Sequence, residues 1–325
     1  MSGRYEPAFT PGEKILSEQA NKGKGPVSQI LCAMVTFNGR ESVSRSIKAL
    51  SRAASWPFPV LIVDNDSSDD TVEIISALSQ PGLSIERLQE NIGVAGAYNL
   101  ILERAKSRGF RWLFILDQDS LCVPGCLELL HEQAEALIRE GEKLGAVCPT
   151  VFSRHFPDVV HPPYEWDGTY LRMLVYPKDQ ERVRVCSGIS SGTLYLVKAL
   201  DQVGGFRENF FIDFVDHDCH LRLHRVGWKM WWIRQAMLGH ELGTRQQMTP
   251  DGLWIEHEPF RYYYIARNSL SGFMKYGGYR GSILFLNDLR KHVLKLRRYG
   301  RSPGASIMYM IKGIFHGLAG RFGPM

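Results

Sequence analysis

The sequence contains no stretch of about 18 uncharged apolar residues, so a membrane-spanning helix is not supported. It has no P-loop and no G-x-G-x-x-G turn, so the fingerprints of ordinary nucleoside-triphosphate and dinucleotide sites are missing. Cysteine is sparse, with six in 325 residues. None falls in the paired C-x-x-C spacing of a zinc site, which suits reduced thiols in a cytosolic setting. Cys122 and Cys126, four apart, are expected to pack on a helix. The opening "MSGRYEPAFTPGEKILSEQANKGKGPVSQ" lacks the apolar core of a signal peptide, and residues 1–28 read as a flexible arm. There is no internal repeat and no long low-complexity segment. Acid is scarce in one region: from Lys275 onward ten Lys/Arg meet a single acid, Asp288. That is +9 within a total of +5, leaving −4 for the rest. The basic character therefore belongs to the tail, and a partner for it is to be sought there.

The 44% hydrophobic and 22% charged residues are those of an ordinary globular protein. Apolar runs alternate with helical periodicity. "ILCAMVT" (30–36), "PVLIVD" (59–64), "LSIERLQ" (83–89) and "RWLFILD" (111–117) read as strands. Between them lie helical patterns at 42–53, after "NDSSDD", and in "VAGAYNLILERAKSRG". "CLELLHEQAEALIRE" is the next helix. This alternation predicts an α/β fold with a doubly wound, mainly parallel sheet. Ligands of such sheets bind beyond the carboxyl ends of the strands. Those ends carry Thr36-Phe37-Asn38, Asp64-Asn65, Asn91-Ile92-Gly93 and Asp117-Gln118-Asp119, all polar and all expected on one rim.

Farther on, "GAVCPTVF", "RVRVCSG", "TLYLVKAL" and "KMWWI" read as strands, with His240 in a loop beyond the last. "FFIDFVDHDCHLRLHRVGW" places Asp213, Asp216 and Asp218 at a helix start, where carboxylates favour the positive end of the dipole.

Asp117 and Asp119 share one face at strand spacing and could meet one Mg²⁺ or Mn²⁺ ion, which prefers carboxylate oxygens. Capping the helix near Pro124 would equally occupy them. Asp64 could accept from a nucleobase or ribose, or cap the following helix. Three motifs are set aside. "GISSG" (188–192) puts Ser190 where a hydrolase nucleophile would stand, but a strand follows instead of the helix that motif needs. His217, His220 and His224 share a helical face without partners at zinc spacing. "RYYYIARN" suggests base stacking but comes with no nucleic-acid module, so no nucleic-acid partner is expected.

Taken together, "VTFNG", "LIVDNDSSDD", "ENIGVAGAYNLIL", "LFILDQDS", "SSGTLY", "FFIDFVDHDCHLRL", "GHELGT" and "RYYYIARN" resemble, in order, the family 2 glycosyltransferases of GT-A fold. "LDQDS" with "FIDFVD" is most similar to bacterial rhamnosyltransferases that use dTDP-L-rhamnose. The resemblance covers about Ile30 to Asn268. It implies a GT-A domain over 29–268, followed by a basic amphipathic helical region over 269–325. It also implies inverting transfer from a nucleotide-sugar to a hydroxyl of a glycan or lipid-linked acceptor, in cell-surface polysaccharide or glycolipid synthesis. The sugar would be L-rhamnose, or alternatively galactofuranose, glucose or N-acetylglucosamine from UDP; a non-catalytic nucleotide-sugar-binding protein is the remaining alternative. Under the same resemblance Thr36, Asn38, Asp64, Asn91, Gly93, Asn99, Asp117 and Arg267 would bind the donor, with Asp64 toward the base. Asp119 and His240 would hold Mg²⁺ or Mn²⁺. Asp216 would be the catalytic base, although Val215 stands where the family usually has Glu. The basic tail, with Ile283, Leu284, Leu286, Leu294 and Leu296, is expected to lie on the inner face of the plasma membrane.

Overall fold

The structure is a computed structural model that describes residues 29–53, 59–78, 80, 82–175 and 180–325. The arm expected over 1–28 lies outside the described residues. The first half runs β1 (Ile30–Thr36), α1 (Val43–Ala53), β2 (Val60–Asp64), α2 (Thr71–Ala77), β3 (Leu83–Arg87), α3 (Gly93–Ser107), β4 (Trp112–Asp117), β5 (Leu121–Cys122) and α4 (Cys126–Arg139). Next come β6 (Leu144–Ser153), β7 (Val160–His161), β8 (Tyr164–Trp166), β9 (Leu171–Met173), β10 (Arg182–Val185), β11 (Leu194–Leu196) and α5 (Val197–Gln202). The chain closes with α6 (Val215–Arg225), β12 (Lys229–His240), β13 (Arg245–Thr249), β14 (Gly252–Glu256), α7 (Arg261–Tyr299) and α8 (Pro303–Leu318).

A ten-stranded sheet follows the order β10-β12-β6-β11-β4-β1-β2-β3, with β5 on β12 and β7 on β6. β3, β2, β1 and β4 are mutually parallel, as the alternation predicts. β11 enters between β4 and β6 antiparallel to both. The alternating side chains of β1 serve two cores. Leu31, Ala33 and Val35 face α3, α5 and α6. Ile30, Cys32 and Met34 face α1 and α4. Burial on both faces explains why these strands read as continuous apolar runs. All six cysteines are free and buried, in keeping with packing roles.

The connection from β3 through α3 returns to β4 on the opposite side of β1. That reversal opens a crevice between the ends of β1 and β4, the place where open α/β sheets bind ligands.

Several expectations are corrected. "TLYLVKAL" is a three-residue strand followed by helix α5, because Leu196 already turns out of the sheet into the helix cap. β12 continues well past "KMWWI": a register shift between Ile233 and Met237 absorbs the polar Arg234-Gln235 step, and pairing with β6 resumes. His240 is thus the last residue of a strand, not part of a loop. The boundary expected at 268 falls inside α7. That helix leaves helical geometry at Gly278 (φ 62°, ψ −154°), a region open essentially to glycine alone. Leu296 is fully buried with Trp254 and Tyr262 rather than exposed, and Leu284 is half-buried.

Candidate active site

The rim begins with strand ends sutured to each other. Gln118 Oε1 accepts the Phe37 N–H (2.9 Å) and its Nε2 donates to the Phe37 carbonyl (3.2 Å), locking the end of β4 to that of β1. Ser46 Oγ donates to the Gln118 carbonyl from α1 (2.7 Å). The middle residue of "DQD" is therefore a clamp, and it leaves the flanking acids facing the crevice.

Asp117, Asp119 and His240 converge, with one ligand atom from each lying within 4.8 Å of the others. His240 Nδ1 is 3.1 Å from Asp119 Oδ1, and its Nε2 is 3.7 Å from Asp117 Oδ2. The histidine is buried and both acids are partly exposed. Burial disfavours the charged imidazole, yet the hydrogen bond and charge of Asp119, with that of Asp117, raise its pKa above the ordinary value. Asp117 is also raised, chiefly by burial, with His240 pulling the other way and Asp119 adding to the rise. Two carboxylates and an imidazole held this close, with burial raising Asp117, form an O,O,N donor set suited to a hard divalent cation. The residues present fit Mg²⁺ or Mn²⁺.

The supports of this cluster come from the rejected hydrolase look-alike. Ser191 Oγ accepts the Asp117 N–H (3.0 Å) and bonds Ser120 Oγ (2.6 Å), which reaches His240 Nδ1 (3.0 Å). Ser190 Oγ bonds the buried Tyr98 hydroxyl (3.1 Å), which donates to Asp117 Oδ1 (2.9 Å). Strand β11 does follow "GISSG", so no nucleophile elbow forms. Its serines orient the acids instead.

The acids of "FIDFVDHD" separate by partner. Asp213 pairs with Arg261 (2.6 Å). Asp218, fully buried, takes Arg207 (3.0 Å), Arg222 (2.8 Å) and the Tyr276 hydroxyl (2.6 Å). Among the described residues Asp216 accepts only the His217 N–H (2.8 Å). It sits partly exposed in the first turn of α6. Its charge reaches Asp117, Tyr98, Tyr164 and Tyr195, raising each. Phe211, Asp213 and Phe214 before it all have positive φ (67°, 64° and 63°), a cluster of strain that must be held from outside. Asn268 does so: its Nδ2 faces the carbonyls of Phe210, Ile212 and Asp213 at 2.8–2.9 Å.

Several expected donor contacts fall elsewhere. Arg267 is fully buried, with its guanidinium on the carbonyls of Asn209, Phe210 and Gly323. It braces the strained loop and does not face the crevice. Asn99 spends both amide atoms on the backbone of Phe206, with Glu208 as a second acceptor. Asp64 is fully buried and accepts from Thr36 Oγ1, Ser67 Oγ and Ser67 N–H (3.0, 2.6 and 3.0 Å), which ties together the ends of β1 and β2. Thr36 is buried with it. Asn38 and Asn91 remain on the rim, Asn38 accepting the Ser68 N–H (2.8 Å) and Asn91 the Gly93 N–H (2.9 Å). Gly93 is needed where it is: φ is 76° and a Cβ would strike Phe211. Arg261 is the basic residue whose charge couples to Asp117 and Asp119, and sequence reasoning passed over it. Its only signal was the first position of "RYYYIARN". Of the three histidines, His217 and His220 share Ser187 Oγ (2.7 and 3.0 Å). Burial pushes His220 down to about 4, and the trio forms no metal cluster among the described residues.

The geometry agrees with what known proteins show. An L-rhamnosyltransferase of Mycobacterium tuberculosis, named for N-acetylglucosaminyl-diphospho-decaprenol, is 25% identical over 260 residues, 71% of this chain and 82% of its own. A dTDP-rhamnosyl transferase of Shigella flexneri is 24% identical over 245 residues, 74% of this chain and 79% of its own. Among solved structures, Staphylococcus aureus TarS 1–349 aligns with a TM-score of 0.50 at 14% identity, covering 90% of this chain and 82% of that one. GalNAc-T7, solved with UDP, GalNAc and Mn²⁺, aligns with a TM-score of 0.53 at 13% identity. There the match covers 66% of this chain but only 44% of the other. These two likenesses show the fold. The family model of glycosyl transferase family 2 matches residues 32–202, more than half of the chain, and the chain belongs to that family of glycosyltransferases.

Proposed function

We infer that the protein transfers L-rhamnose from dTDP-L-rhamnose, with inversion, to a hydroxyl of a glycan or lipid-linked acceptor. The observation that carries this reading is Asp216: of Asp213, Asp216 and Asp218 it is the one with no cationic partner among the described residues, and its charge reaches Asp117 across the crevice. Inversion in one displacement needs a base on the acceptor side and charge neutralisation on the leaving diphosphate. Asp216 takes the acceptor proton as the hydroxyl oxygen attacks the anomeric carbon. Asp117, Asp119 and His240 would hold the divalent cation, which when bound supplies charge neutralisation for the diphosphate. Arg261 adds a fixed positive charge on the same side. Asn38, Asn91 and Gly93 border the nucleoside end, with the buried Thr36–Asp64 pair behind them.

The two rhamnosyltransferase relatives support L-rhamnose as the donor sugar. A galactofuranose donor is the second reading, favoured by a galactofuranosyltransferase of Mycolicibacterium smegmatis that is 24% identical over 230 residues. A panel of nucleotide-sugars decides: dTDP-rhamnose should raise the melting temperature and be consumed, and a response to UDP-galactofuranose alone would reverse the assignment. Asp216→Asn should keep donor binding and lose about 10²-fold or more in turnover. Near-normal turnover would remove the base from Asp216.

We further assign the basic C-terminal region to peripheral contact with an anionic membrane surface. α8 packs on α7 through Ser306, Met310 and Gly313, while Met308, Ile311, Phe315 and Leu318 form an exposed apolar stripe on its other side. No helix of the described residues is long and apolar enough to cross a membrane.

A further inference from the structure

Beside the crevice lies a cavity of about 610 Å³, within the size range of small-molecule sites. Its inner wall is formed by residues adjacent to those of the crevice. Tyr164 packs edge-on against His217, the neighbour of Asp216, with ring centroids 5.0 Å apart. Ile189 precedes the Ser190 that bonds Tyr98, and Leu242 follows His240 by two residues. The outer wall is the β13–β14 hairpin, which contributes Met248 and Leu253. Among the described residues no lysine or arginine lines the cavity, and its two acids, Asp158 and Asp251, are both exposed, Asp251 carrying Arg298 at 3.6 Å on its outer side. His161 is held neutral near pH 7, its pKa pushed to about 4 by burial and the charge of His240, and its Nε2 has no hydrogen-bond partner. A diphosphate or an acidic glycan would find no counter-charge in such walls. Apolar surface gains by entering them.

We propose that this cavity is an acceptor subsite that takes a hydrocarbon chain attached close to the reacting hydroxyl. The inference rests on the reading of Asp216 as base, because a hydroxyl at Asp216 places whatever it is bonded to at the mouth beside Tyr164. Nearness to the crevice and the absence of cations among the described lining residues select an apolar chain over a charged or heavily hydroxylated group.

The test is direct binding of n-octyl and methyl β-D-glucoside, below micellar concentration, to the full chain with dTDP and Mg²⁺. Octyl glucoside should bind at least about tenfold more tightly, since burying two methylenes already yields that factor. Leu253→Arg should abolish the preference. Met248→Arg, at an exposed position that tolerates charge, should weaken it without affecting folding. Phe315→Glu on α8 should leave it unchanged. Equal affinities in the unaltered protein, a preference that survives both hairpin variants, or its loss in Phe315→Glu would each overturn the proposal. Turnover of Asp216→Asn is measured separately, and its retention would remove the base assignment without altering the alkyl-chain result.

Discussion

Asp218 and Asp119 stand in similar company and should respond in opposite ways to substitution. Asp218 is buried between two arginines and a tyrosine, so Asp218→Ala leaves Arg207 and Arg222 facing an uncompensated gap. Breaking a buried pair from one side costs about 3–5 kcal/mol, and chemical denaturation should show that loss. Asp119 is partly exposed, and among the described residues its one close ion-pair partner is His240, with Arg261 acting at longer range. Asp119→Ala should therefore leave the unfolding midpoint nearly unchanged while weakening both Mg²⁺ or Mn²⁺ dependence and donor affinity; full activity in excess chelator would contradict the assignment. Asn268→Asp tests positioning. It removes donors from three carbonyls of the strained loop, so turnover should fall roughly tenfold to a hundredfold, the scale of a misplaced catalytic group, with donor affinity retained. What could be read at this scale was local: Asp117 and Asp119 were legible as a pair at a strand end, although β4 stops at Asp117 and it is the turn closed by the Ser120 N–H on the Asp117 carbonyl (3.1 Å), not strand alternation, that brings Asp119 round. Ser191 and Arg261 were not readable, because their partners arrive from tens of residues away and no spacing encodes them.

At the scale of elements, α7 ties the basic tail to the loop that precedes Asp216. Gly272 is where the Phe214 ring, in the loop before Asp216, presses against the helix. Gly272→Ala should cost about 1–3 kcal/mol as overpacking and lower turnover through that loop; an unaffected melting curve with unaffected turnover would show the contact to be slack. The parallel strands and their helices were legible because burial on both faces writes apolar runs. The length of β12 was not, because its Arg234-Gln235 interruption resembles a terminus in sequence and is a register shift in the sheet. The helix through residue 268 was equally hidden, since glycines at 272, 277, 278 and 281 look like punctuation. In the fold Gly272, Gly277 and Gly281 admit close neighbours, the Thr169 backbone at the last two, and Gly278 supplies the positive φ of the kink.

For the whole molecule, the asymmetry of charge and the apolar stripe of α8 predict binding to vesicles containing anionic lipid. Each Lys or Arg near such a surface contributes about 1 kcal/mol, so co-sedimentation should weaken as salt rises. Ile311→Glu with Phe315→Glu should reduce it, because the apolar component goes while the basic residues stay. Binding that ignores both salt and the double substitution would remove the membrane assignment.

The bond from Ser120 to His240 spans 120 residues, and β11 must slide between β4 and β6 before Ser191 reaches Asp117. A chain still being synthesised can pair β1, β2, β3 and β4 from nearby segments. It cannot bring Asp117, Asp119 and His240 together until β12 has emerged and docked. Contacts this distant in sequence close late, because their loop entropy is paid before they stabilise anything. The young polypeptide thus carries its two aspartates as isolated charges, and metal affinity becomes a timer for completion of the sheet. Refolding followed by Mn²⁺ binding should lag behind the recovery of strand and helix signal.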